Sequence, residues 1–128
     1  MSWLLATAAF LTFAVGVAHS WLGERYLISR LLRRNDLPPL LDGVEFTRAV
    51  IRFAWHLTTV AWWGLAAILV FLSGAVRGVS VAHGVLLSIA ATFAVSAVVT
   101  AAVSRGRHLA WVAFAAIAVL CVAAAGVS

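Results

Sequence analysis

Four long apolar runs, residues 3–22, 49–73, 79–103 and 109–127, are separated by polar links, and each reaches or approaches the roughly 20 residues a helix needs to cross a bilayer. The pattern predicts an all-α chain, an integral membrane four-helix bundle with up-down-up-down order, forming one transmembrane domain over residues 1–128. The first run lacks a basic segment ahead of it and reads as a retained span, not a cleaved leader. The longest link has a pattern of its own. Over about residues 24–37, Leu27, Ile28, Leu31 and Leu32 make an apolar stripe while Arg30, Arg33 and Arg34 point away from it, which predicts a short amphipathic helix lying on the cytoplasmic membrane surface. Pro38 and Pro39 cannot continue it, so it should stop by Asp36 or Leu37. Asp42, three residues before Glu45, resembles a capping box for the next helix.

That next helix carries its polar residues on one face. Glu45, Arg48, Arg52, His56, Thr59 and Trp63 recur at steps of three and four, the spacing of a single helical stripe. From Gly43 to Ser73 it would run about 46 Å at 1.5 Å per residue, longer than the ~30 Å hydrocarbon layer, so its first turns should protrude or the helix should tilt. Glu45 and Arg48 then have ordinary interfacial explanations. Arg52 and His56 lie one and two turns deeper, where an ionisable group is costly enough to demand a partner. In the first span Ala9, Thr12, Gly16, His19 and Gly23 form a face of mostly small residues that admits a neighbouring helix and turns His19 inward. In the third span Gly84, Ser88, Thr92, Ser96 and Thr100 recur every fourth residue and mark a helix-packing stripe; a hydroxyl-lined path for water or protons is the functional alternative. Trp62 and Trp63 fall near mid-membrane, away from the usual interfacial belts, and are expected to pack between helices or against a planar ligand.

Composition removes the soluble alternatives. Of 128 residues, 65% are hydrophobic and 10% charged, and the mean hydropathy is +1.10. All nine basic residues are arginine and the net charge is +5. Their positions argue for topology and lipid contact instead of nucleic-acid binding: Arg25, Arg30, Arg33, Arg34 and Arg48 flank the first link, Arg105 and Arg107 the third, and only Arg77 the second. The odd links are therefore expected in the cytoplasm of a bacterial-type inner membrane, with both termini periplasmic. Cys121 has no partner for an internal disulfide and reads as an apolar filler.

On this topology His19, Glu24, Glu45, Arg48, Arg52, His56, Arg105 and His108 gather in the cytoplasmic leaflet. Arg52 disfavours a dication beside His56, whereas it suits a carboxylate or a haem propionate, so His19 and His56 with Arg52 form a candidate haem b site. Motifs of hydrolases, phosphate-binding loops, zinc peptidases and dithiol redox enzymes are missing from the sequence. Three functions follow: a non-enzymatic accessory or assembly subunit with a polar His/Arg cluster, acting with a partner membrane protein or as a homo-oligomer; a haem protein using His19 and His56; or a homo-oligomeric transporter of protons or a small anion.

Overall fold

The computed structural model describes residues 1–40 and 43–127 and is all-helical among them. Helix α1 runs Trp3–Leu31, α2 Val44–Leu72, α3 Val81–Val103 and α4 Ala110–Gly126. The first three are long and apolar enough to cross a membrane. The fourth has 17 residues, about 26 Å at 1.5 Å per residue, at the short end of what spans a hydrocarbon layer. Large apolar side chains face outward along the helices, among them Leu4, Phe10, Val98 and Leu120. In water such a surface would aggregate, and in lipid it is an ordinary exterior.

Local signals start and stop these helices. Ser2 caps α1 and Ser80 caps α3, the Ser80 hydroxyl accepting from the His83 N–H at 3.1 Å. Gly43 caps α2 with φ 93°, a conformation that suits a residue without Cβ, and no side chain among the described residues caps that end. The capping-box reading relied on Asp42, which lies outside the described residues. Instead, buried Thr47 ties the approach to α2 together: its hydroxyl accepts from Leu40 N–H at 2.9 Å and donates to Pro38 O at 2.7 Å. Between α3 and α4 the chain reverses through a Schellman motif, with Gly106 N–H on Ala101 O at 2.8 Å and Arg105 N–H on Ala102 O at 3.3 Å. Arg105 occupies the left-handed position, φ 51°, that glycine usually takes.

One expected element has a different form. The segment read as a separate surface helix over about 24–37 is, up to Leu31, the continuation of α1 through a π-helical stretch, Gly23–Ile28. Nothing interrupts it: Gly23 keeps right-handed helical angles, φ −61° and ψ −47°, and the first proline comes at Pro38. The chain leaves the helix after Leu31, through a turn at Leu32 and Arg33, before that proline.

Packing follows chain order. α1 packs on α2, α2 on α3 and α3 on α4, and α1 has no comparable interface with α3 or α4 among the described residues. The start of α1 meets the end of α2, where Ser2 N–H donates to Ser73 O at 2.7 Å. Glycines set the contacts of α1 with α2 and of α2 with α3. Gly16 lies under the indole of Trp63, Gly64 under Thr92, and Gly84 under the ring of Phe71. The α3 stripe behaves as a packing face: Gly84, Ser88, Ser96 and Thr100 are buried. Ser88, Thr92 and Ser96 each donate to the carbonyl four residues back, at 2.8, 2.7 and 2.8 Å. Their protons are therefore spent on their own helix, which leaves little for a hydroxyl-lined path.

Candidate functional site

The polar residues that the α1–α2 interface brings together are Ser20, Glu24 and Ser29 from α1 with Arg52, His56 and Thr59 from α2. Glu24 is the hub. Its Oε1 accepts from Ser29 Oγ at 3.0 Å and from Arg52 Nη2 at 3.1 Å, and its Oε2 lies 3.3 Å from His56 Nε2. On its other side, His56 Nδ1 lies 2.9 Å from Ser20 Oγ, which in turn lies 2.7 Å from Thr59 Oγ1. One tautomer satisfies every group: His56 donates from Nε2 to the Glu24 carboxylate, Nδ1 accepts from Ser20, and Ser20 accepts from Thr59. The exposure falls along the line, from half for Arg52 to a third for Glu24 and His56, and to 2% for Thr59.

The π-helical stretch explains how α1 reaches this register. Gly16, Ser20, Glu24, Ile28 and Leu32 all face α2 or its bonding groups, a four-residue repeat that would drift by about 40° per step on a regular helix. The wider π-turn absorbs that drift beyond Glu24 and keeps Ile28, 1% exposed, on the same face. Gly23 makes the turn possible. A Cβ there would run into the indole of Trp55, whose Nε1 donates to His19 O at 3.2 Å.

The remaining residues singled out in the sequence divide into separate settings. His19 stacks on Trp55, with ring centres 4.2 Å apart and planes 9° apart, and tilts against Trp62 at 4.8 Å; its Nε2 is buried without a hydrogen-bond partner among the described residues. Glu45 pairs with Arg48, which also donates to Arg34 O at 3.1 Å. His108 stands edge-on to Phe53 at 5.6 Å, with Nδ1 buried and without a hydrogen-bond partner among the described residues. Arg105 lines a groove with Glu45 and Arg107. Trp62 packs on His19, and Trp63 stacks on Phe13 at 5.3 Å while donating from Nε1 to Phe13 O at 3.3 Å.

The proposed axial pair does not fit a haem. Both ring nitrogens of His56 are engaged, by Glu24 and Ser20, and the His19 ring is held between two indoles that belong to another face of α2. A two-histidine haem needs two imidazoles converging on one iron with a nitrogen free on each. Among the described residues no group of three or more His, Cys, Asp or Glu is arranged to hold a metal ion. Comparison with protein-family models, curated proteins and solved structures finds no match.

Sequence reasoning had Arg52, His56 and Glu24 but missed Ser20 and Ser29. The available signal was the pairing of two four-residue steps on consecutive helices, Ser20 to Glu24 and Arg52 to His56, which lets each member of one pair meet a member of the other.

Proposed function

We propose that this chain is a multi-pass protein of a bacterial-type inner membrane whose four helices cross in alternating directions, and that it works as a non-enzymatic accessory or assembly subunit. The asymmetry of arginine across the links supports a cytoplasmic location for the α1–α2 and α3–α4 connections and a periplasmic one for the termini. The observation that carries the reading is that the polar network closes on itself. It runs from Arg52 through Glu24, His56 and Ser20 and ends at buried Thr59. Of the α3 hydroxyls that would have to extend it, those of Ser88, Thr92 and Ser96 are bonded to their own backbone. Such a network joins two helices, which is the work of a scaffold and not of a conduit.

The test is to purify the chain in mild detergent, determine the mass of the assembly, and measure proton and anion flux after reconstitution into liposomes. A discrete complex, of copies or with a partner membrane protein, and flux equal to protein-free vesicles are expected. A lone monomer, or flux abolished by His56→Ala, refutes the reading.

A further inference from the structure

Beside Glu24, on the side away from His56, a groove of about 380 Å³ opens between the last turn of α1 and the first turns of α2. Ser29, Arg33, Glu45, Arg48 and Arg52 line its polar part, and Leu32, 7% exposed, its floor. Three arginines face one glutamate there, and counting Glu24, which binds Arg52 from below, the balance is +3 against −2. One positive charge is left over. Its source is identifiable: Arg52 is paired with Glu24 and Arg48 with Glu45, while the Arg33 guanidinium has no hydrogen-bond or ion-pair partner among the described residues. In addition, Arg48 Nε is buried and unpartnered.

We propose that this groove binds a phosphate group carrying a single negative charge. The free fork of Arg33, just past the end of α1, and the guanidinium of Arg48 on α2 both line the groove and are best bridged by a ligand whose oxygens point in several directions. A phosphate offers that and a planar carboxylate does not. The inference rests on the reading that this end of the bundle lies at the membrane surface, where two sources supply the same chemistry: the phosphodiester of an anionic lipid headgroup, with Leu32 beside its glycerol and chains, and free inorganic phosphate.

Thermal unfolding of the full chain in detergent, with added phosphatidylglycerol, phosphatidylcholine or inorganic phosphate, tests it. Wild type, Arg33→Gln, Arg48→Gln and the control Arg77→Gln are compared. Arg33 makes no side-chain bond among the described residues, so Arg33→Gln should unfold at the wild-type temperature without ligand. Stabilisation by phosphatidylglycerol alone, with a half-saturating concentration about tenfold higher in Arg33→Gln and Arg48→Gln but unchanged in Arg77→Gln, supports the site with a lipid source. The same pattern with inorganic phosphate supports it with a soluble source. An equal response to phosphatidylcholine, an equal response in Arg33→Gln and wild type, or no stabilisation by either anion overturns it. The assay needs neither an assembly partner nor a flux, so failure of the accessory-subunit reading leaves its outcome legible.

Discussion

Glu24 Oε2 and His56 Nε2, 3.3 Å apart, join the π-turn of α1 to α2, and the same carboxylate holds Arg52 through its other oxygen. One anion thus serves two nitrogen donors on one helix. Removing it strands both, whereas removing either donor leaves the other in place.

Glu24→Gln should therefore destabilise the chain more than Arg52→Gln or His56→Gln. A loss of about 1–2 kcal/mol is expected, below the figure for fully buried pairs because the three side chains are a third to a half exposed. Denaturant unfolding in detergent measures it, and a double-mutant cycle between Glu24→Gln and Arg52→Gln should return a coupling of at least ~0.5 kcal/mol. Strict additivity would show that the pair contributes nothing.

At Gly23 a methyl group has no room beside Trp55. Gly23→Ala should cost about 1–3 kcal/mol through overpacking and alter the tryptophan fluorescence as the Trp55–His19 carbonyl bond is broken. Gly126→Ala, where an added Cβ meets nothing within 4 Å, is the control and should be neutral or slightly stabilising. Equal effects at the two glycines would mean that the close approach at Gly23 is not what sets the α1–α2 spacing.

Thr100 is fully buried and its hydroxyl has no hydrogen-bond partner among the described residues. Thr100→Val keeps the shape and removes the orphaned group, so a gain of about 1 kcal/mol is expected in thermal or denaturant unfolding. A loss of similar size would reveal that the hydroxyl bonds something in the membrane.

Arg105 adopts a left-handed conformation that costs a residue with a Cβ about 1–2 kcal/mol. Arg105→Gly should recover part of that, raising stability by about 0.5–1 kcal/mol after the greater freedom of glycine in the unfolded chain is counted. Destabilisation instead would point to a bond made by the arginine head in the groove it lines.

Outside the helices, the hydrogen bonds from Arg34 at 2.8 and 2.5 Å lower the Asp36 carboxyl from its ordinary value of 3.8 to about 2. The folded value is the lower one, so the pair contributes above pH 3.8 and is lost as the pH falls through about 2. Carboxyl resonances should report a midpoint near 2 for Asp36, returning toward 3.8 in Arg34→Gln. A wild-type midpoint already at 3.8 would show that the exposed pair does not persist.

Several features were legible from residue spacing alone. Four apolar runs became four helices, because a polar backbone surrounded by apolar side chains must satisfy its hydrogen bonds internally. The extent of α2, between Gly43 and Ser73, and the α3 stripe followed from hydrophobic runs and periodicity, which act within a few residues. Arg52 and His56 sharing a face was equally local.

What only the tertiary structure decided is which faces meet. The turn at Gly23 became π-helical where the indole of Trp55 presses on it, and one extra residue in a turn rotates everything beyond it by about 100°. That rotation brought Ser29 back to Glu24, while the packing of α1 on α2 set Ser20 and Glu24 against His56 and Arg52 and left His19 among tryptophans. Spacing along one helix is set by its own hydrogen bonds. The angle between two helices is set by side chains far apart in the chain, and the partners of Glu24 depend on that angle.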